Sequence, residues 1–331
     1  MRPPRFWFSP SDRLNWRGAL LAPLGQLTAW ATAYRVARRP MFSCPVPVIC
    51  VGNINIGGTG KTPTVIALVA ALQMRGHHPA VISRGHGGQL QGPVQVDPTK
   101  HDASDVGDEP LLIAAFAPVW IAKKRAQAAQ AAANSGADVI IMDDGHQNPD
   151  VAKDFNIVVV DGKRGFGNSR CFPAGPLREP ISAGLSRANM VVVIGAPNRQ
   201  LAQTLSTQAD CPILYADLKP LETGMDWNGA RVLAFAGIGH PEKFFATLRD
   251  LGAELCATVA LDDHQNISSA LITRLSTYAA RMGAQLVTTE KDAVRLTQAQ
   301  RSGILALPVR LEWQEAGHLD ALLNAVMTPK R

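Results

Sequence analysis

The stretch from Val46 to Pro63, VPVICVGNINIGGTGKTP, decides the fold: it reads as a buried strand, a glycine-rich turn and the start of a helix. Val46, Val48, Ile49, Cys50 and Val51 form the short apolar, β-branched run expected of a strand covered on both faces. Gly57, Gly58 and Gly60 let the backbone turn tightly and approach a ligand with no Cβ in the way. The amides of such a turn, Thr59 among them, with a helix N-terminus behind, form a cradle for an anion. Lys61 then reaches β- and γ-phosphates, and the Thr62 hydroxyl ligates Mg2+. The pattern G-x-x-x-x-G-K-[ST] has Asn55 in place of its first glycine, and asparagine tolerates positive φ better than other non-glycine residues. Helical spacing of Val65, Leu68, Val69 and Leu72 behind the loop stands against an incidental Lys-Thr in a glycine-rich connection. The expectation is a nucleoside-triphosphate site.

The 331 residues suffice for two domains, and 46% hydrophobic content for a sizeable core. Residues 1–42 carry seven arginines against Asp12 alone, while the remainder balances 26 basic with 26 acidic side chains. The whole excess of +6 therefore lies in one segment, which argues for a local anionic surface rather than nucleic-acid binding. Cys44, Cys50, Cys171, Cys211 and Cys256 show no C-x-x-C or metal-ligand spacing and are expected to be free thiols in a reducing compartment. No cleavable signal peptide is expected, because the first apolar stretch is long and broken by polar residues.

Between Arg17 and Arg35 lie seventeen uncharged residues, interrupted by Pro23, Gln26, Thr28 and Thr32. This falls short of the roughly 20 predominantly apolar residues a membrane span needs. Leu20, Leu24, Leu27, Ala31 and Tyr34 share a helical face, with Trp7, Trp16 and Trp30 nearby and arginines at both ends. That is the composition of a helix lying in the headgroup region of an anionic leaflet. The alternative is a helix whose apolar face packs on the protein's own core.

From Val46 to about Leu218 apolar strands alternate with helical stretches, as a doubly wound, mostly parallel sheet requires. Strands are predicted at 46–51, 80–83, 119–122, 138–142, 157–160, 190–194 and 213–216, and ligands of such a sheet sit beyond the strands' carboxyl ends. Arg84 follows the second strand in a flexible Ser-Arg-Gly turn and can meet phosphate or simply lie on the surface. Asp108 and Glu109 precede a helix, where Asp108 is either a cap or a functional carboxylate. Ile140 to Gly145 is an apolar strand ending in Asp143 and Asp144, the form of a Walker B element that holds Mg2+. Residues 161–180 form a long Gly- and Pro-rich loop whose Lys163, Arg164, Arg170 and Arg178, interleaved with Phe166 and Phe172, suit an anionic, partly apolar ligand.

The alternation pauses around 218–228, which places a boundary there. The chain is then divided into a helical interface segment (1–42), a P-loop domain (43–220) and a smaller α/β domain (229–331). In the last, strands are predicted at 232–236, 255–261, 285–289 and 304–311, with His264 and Thr289-Glu290-Lys291-Asp292 at strand ends. No N-K-x-D guanine motif is present, so adenine is the expected base.

Taken together, these residues resemble the tetraacyldisaccharide 4'-kinase family of lipid A biosynthesis over nearly the whole chain. The carriers are Val51-Gly52-Asn53, Gly57 to Pro63, Ser83-Arg84-Gly85, Gly107-Asp108-Glu109-Pro110, Asp143-Asp144-Gly145-His146-Gln147, Pro173 to Pro180, Asp263-His264 and Thr289 to Asp292. His146 stands where an aromatic such as Phe is expected, and Gln265 where a second His is common. The resemblance implies transfer of the ATP γ-phosphate to the 4'-hydroxyl of a tetraacylated disaccharide 1-phosphate, at the cytoplasmic face of a Gram-negative inner membrane. It implies Asp108 as the base, supported by Asp144 and Lys61, and Mg2+ near Thr62, Asp143 and Glu109. His264 would come to the nucleotide as the smaller domain closes, and Asn53, Arg84, Arg170 and Arg178 would meet substrate. A lipid substrate and an anionic membrane surface are the expected partners, with no nucleic acid and no obligate protein partner. The other class of reading is a membrane-associated regulatory ATPase of the partitioning type, which would normally carry its membrane helix at the other end and a second lysine early in the loop, where Asn55 and Ile56 stand.

Overall fold

A computed structural model describes residues 3–9, 15–263 and 265–327. Thirteen strands among these residues make two sheets. The larger holds β1 (Val48–Gly52), β2 (Pro79–Ser83), β3 (Val94–Gln95), β4 (Val119–Ile121), β5 (Val139–Asp143), β6 (Phe155–Asp161), β7 (Met190–Ile194) and β8 (Ile213–Pro220). The smaller holds β9 (Arg231–Ala236), β10 (Glu254–Ala260), β11 (Gln285–Thr289) and β12 (Ile304–Leu307), and β13 (Val309–Trp313) returns to the larger. Their orders are β13-β8-β7-β6-β1-β5-β2-β4-β3 and β10-β9-β11-β12. Only the edge strands β3 and β13 run antiparallel to their neighbours. The sheet order reverses at β1, which has β5 on one side and β6 on the other, so the crevice for a ligand opens beyond the carboxyl end of β1.

The strands are apolar throughout because both faces of the sheet are covered. Ile49 and Val51 pack with Val65, Leu68, Val69 and Leu72 of a helix over Lys61–Gln73, while Val48 and Cys50 pack with Ala128, Ala129 and Ala132 of the helix over Arg125–Asn134. Alternate residues of β1 thus feed opposite cores, as the period of two dictates. Each such fully buried leucine, isoleucine or valine is worth about 1.5–3 kcal/mol, which makes β1 and its two helices the rigid frame for the loop between them.

Two departures from the sequence reading have physical causes. The run 304–311 is two strands, divided at Pro308, which has no N–H for a ladder. Past Pro308 the chain leaves the smaller sheet and pairs with β8 from Val309 opposite Pro220 to Trp313 opposite Ala216. The following helix, Ala316–Met327, drops Leu319 and Leu323 into the larger core. Residues 309–327 therefore build on the larger sheet, unlike the division at 229–331.

Helix α1 (Trp16–Val36) is capped by the Asn15 side chain, which accepts from the Arg17 amide. It turns its small residues inward. Gly18, Gly25, Ala29 and Thr32 are buried, and the Cβ position of Gly25 lies 2.9 Å from the Cys171 carbonyl oxygen, so the helix rests almost backbone to backbone on the loop 161–180. Its large residues point away. Trp16, Leu20, Leu24, Leu27, Trp30 and Tyr34 are each between 50 and 71% exposed. No helix among the described residues is long and apolar enough to cross a membrane.

Candidate functional site

The phosphate loop runs from Asn53 to Gly60 between β1 and the helix over Lys61–Gln73. Gly57 and Gly60 take φ of 107° and 96°, a region that costs other L-residues roughly 1–2 kcal/mol, and Gly60 is the helix N-cap. Asn55 does not take positive φ: the positive-φ residues of the loop are glycines, and Asn55 instead bridges to Leu177 and donates its side-chain amide to the Gly165 carbonyl. Asn53, expected to meet substrate, is fully buried and braces the loop from inside, donating to Gly57 O at 3.2 Å and Thr59 Oγ1 at 3.1 Å.

The loop 161–180 links this cradle to α1. Ile56 donates to Pro176 O and Arg178 to Ile54 O, so residues 176–178 run along the phosphate loop. At its other end, the same loop accepts the Trp7 indole at Pro173 O, and Arg170 donates to Gly18 O. Arg170 therefore anchors α1 and does not line the cavity described below. This differs from the substrate contact that the family resemblance implies for Arg170.

Asp143 and Asp144 close β5, and their environments differ. Asp143 is almost fully buried, and burial with the neighbouring Glu109 and Asp144 charges pushes its carboxyl up to about 7. Burial pushes Asp144 the same way, but Lys61 and Arg178 outweigh it and hold the group well below the usual carboxylate range. Lys61 Nζ is 3.6 Å from Asp144 Oδ1, and Arg178 donates to both Asp144 oxygens at 2.8 and 3.2 Å. Asp144 takes φ of 49°, a left-handed conformation uncommon for a non-glycine residue, with its side chain held by these two cations. Behind Arg178, Gln147 donates to Asn53 O and to Glu179, and both oxygens of the buried Glu179 carboxylate accept from Nη2 of the half-buried Arg187. His146 sits inside this cluster, completely buried beside Gly52 and bonded to Gly184 O; burial and Arg187 push its pKa down to about 4, so it is a neutral core residue.

Asp108 opens a short helix (Asp108–Ile113) that follows Gly107, whose φ of 92° and ψ of 153° suit glycine alone. Its Oδ1 accepts the Glu109 amide at 2.9 Å. Glu109 meets Lys291 Nζ at 2.9 Å across the gap between the two sheets. His264 lies outside the described residues.

A cavity of about 770 Å³ joins these parts. It is lined by Asp108, Glu109, Asp143, Asp144 and Arg178, with Ile56 from the phosphate loop, and by Thr28, Thr32 and Arg35 of α1 with Arg38 just beyond the helix. Arg84, Lys123 and Arg125 line it as well. Arg125 is buried and donates to the carbonyl of Asp144 at 2.9 Å, holding the end of β5. Sequence reading missed Lys123, Arg125, Arg35 and Arg38, since nothing in a lone cation's neighbours tells which surface it will face. Charge of both signs around this cavity suits a substrate carrying phosphate and a reacting hydroxyl.

Asp143 Oδ1 is buried with no hydrogen-bond partner among the described residues. A carboxylate oxygen in that state fits a hard cation.

Comparison with known proteins gives a consistent picture. The family model for Tetraacyldisaccharide-1-P 4'-kinase matches residues 17–328. A tetraacyldisaccharide 4'-kinase of Dinoroseobacter shibae is 57% identical over 329 residues, covering 98% of each chain. One of Jannaschia sp. is 50% identical over 329 residues, covering 99% of each. In fold, the chain superposes with a TM-score of 0.75 on a crystal structure of LpxK from Aquifex aeolicus in complex with ATP, at 24% identity and covering 94% of this chain and 99% of that one.

Proposed function

Since the chain belongs to the tetraacyldisaccharide-1-P 4'-kinase family, we propose that it transfers the γ-phosphate of ATP to the 4'-hydroxyl of a tetraacylated glucosamine disaccharide 1-phosphate in lipid A biosynthesis. The observation that carries this reading is one cavity lined both by the carboxylates of Asp108, Asp143 and Asp144 and by Thr28, Thr32 and Arg35 of α1. The family match weighs against a partitioning-type ATPase.

In this reading the loop amides and Lys61 hold the triphosphate, and Asp143 with Thr62 and Glu109 takes Mg2+. The metal, when bound, neutralises charge on the β- and γ-oxygens. Asp108 orients the acceptor hydroxyl and removes its proton. Asp144, fixed by Arg178, keeps Lys61 aimed at the loop. Arg84, with Lys123 and Arg125 beside it, supplies positive charge along the wall for the substrate's own phosphate. The bare apolar face of α1, flanked by Arg17, Arg35, Arg38 and Arg39, supports peripheral attachment to an anionic leaflet, so that acyl chains need not leave the lipid. The cytoplasmic face of a Gram-negative inner membrane is the proposed location.

The test is transfer of radiolabelled γ-phosphate to a tetraacyl disaccharide 1-phosphate in mixed micelles, wild type beside Lys61→Ala. Labelled lipid that disappears in the variant supports the reading; phosphate release with no labelled lipid overturns it. A pH dependence follows from Asp143. Its pKa near 7 without metal means that taking a cation displaces a proton, so metal affinity falls as pH drops below 7. The half-saturating Mg2+ concentration is expected to rise about tenfold from pH 8 to pH 6 in the wild type and to lose that dependence in Asp143→Asn. An equal dependence in both would assign the effect elsewhere.

A further inference from the structure

We propose that Lys291 is a positioning residue, reaching from the smaller sheet to clamp Glu109 and so to fix the helix turn that carries Asp108. The inference rests on the kinase reading above and deepens it.

Lys291 stands in the short helix Glu290–Ala293, directly after β11. The residues around it are occupied in holding that helix still. Thr289 caps it, its side chain accepting the Asp292 amide. Asp292 is fully buried, paired with Arg295 at 2.7 Å, and accepts the Gly237 amide at 3.0 Å. Glu290 turns the other way and accepts two contacts from Arg310. Lys291 crosses to the larger unit, where its ammonium donates to Glu109 Oε1 at 2.9 Å.

The path onward from Glu109 is short. Its backbone N–H donates to Asp108 Oδ1, so the placement of residue 109 sets the rotation of the Asp108 carboxylate. Gly107, just before, takes a backbone conformation with no side chain to hold it, and the helix it opens ends at Ile113. A one-and-a-half-turn helix on a glycine pivot gains little rigidity of its own. The opposite lip of the cleft is closed in the same manner: Lys243 pairs with Asp161, Arg164 donates to Gly239 O, and the Cβ position of Gly239 lies 3.4 Å from the Gly58 nitrogen. The smaller unit thus grips the larger at its phosphate loop and at its Asp108 turn. Seating of the smaller unit and readiness of the Asp108 turn become one event.

The experiment compares wild type, Lys291→Met, Lys291→Arg, Glu109→Gln and the Lys291→Met/Glu109→Gln double variant. Misplacing a reacting group by about 1 Å costs on the order of 100-fold. Lys291→Met is therefore expected to lose about 100-fold in kcat for lipid phosphorylation, with the Kd for ATP within about threefold of wild type. Lys291→Arg should recover most of that loss, and the double variant should be no slower than Glu109→Gln, since Lys291 acts through Glu109. Amide exchange over residues 107–113 should rise in Lys291→Met, a readout independent of turnover. Unchanged exchange there, a near-normal kcat, a loss that multiplies in the double variant, or a loss that falls in ATP affinity overturns the proposal. Wild type that labels no lipid would instead count against the kinase reading, while the exchange result would still decide the role of Lys291.

Discussion

An Asp108→Asn variant is expected to turn over 10²–10⁴-fold more slowly than wild type, the range general-base catalysis supplies, while binding ATP within about threefold of the wild-type affinity. The substitution is nearly isosteric. The Asn side-chain oxygen can still accept the Glu109 amide that Asp108 Oδ1 accepts now, so the turn after Gly107 keeps its shape. What is lost is the ability to take a proton from the acceptor hydroxyl. The triphosphate is held elsewhere, by the loop after β1 and by Lys61, so nucleotide affinity is a control that the protein is folded and loaded. Single-turnover transfer to lipid, with ATP affinity by calorimetry, separates the two quantities. A variant that keeps more than a tenth of wild-type turnover would remove Asp108 from the role of base and leave Asp144 the next carboxylate to test.

The strand, loop and helix at 48–73 were legible because each signal is local: a five-residue apolar strand buried on both faces, glycines where the backbone turns left-handed, an apolar helix behind. Even the departure at Asn55 proved mild, since the left-handed turns of the loop fall on Gly57 and Gly60 and Asn55 needs no unusual backbone. Asp143 and Asp144 were legible as a pair but not as two unlike groups. Their separation depends on Arg178 and Lys61, which approach Asp144 from 34 and 83 positions away and leave Asp143 dominated by its burial. The same is true of Arg170 and Arg178. The loop's composition marks both as partners of an anion, yet one anchors α1 through Gly18 and the other holds Asp144. Lys291 and Glu109 meet across 182 residues, a pairing that no spacing rule registers. Pro308 is the opposite case: a local signal inside an apolar run, whose weight as a strand breaker the continuous reading 304–311 overlooked.

A Leu20→Gln/Leu24→Gln/Leu27→Gln/Trp30→Gln variant is expected to lose at least 100-fold in partitioning to anionic vesicles. The four side chains are between 50 and 71% exposed, so their replacement removes no core contact and the fold should stand. Full transfer of each such side chain into lipid is worth about 1.5–3 kcal/mol, and even half of that over four positions exceeds the roughly 2.7 kcal/mol of a 100-fold change. The basic flank contributes separately. Arg17, Arg35, Arg38 and Arg39 each add about 1 kcal/mol near a negative surface, a term that salt weakens and uncharged vesicles lack. Wild type should therefore bind anionic vesicles in a salt-dependent manner and neutral ones more weakly, while the substituted helix should fail on neutral vesicles altogether. Transfer to a micellar lipid acceptor should fall with binding, but ATP affinity should not, because α1 meets the cavity through Thr28 and Thr32, which the substitutions leave in place. If the variant sediments with vesicles as wild type does, the apolar face of α1 is not the membrane contact. An apolar face of this size, with the helix already seated on loop 161–180 through its glycines, would then require a second protein surface to cover it.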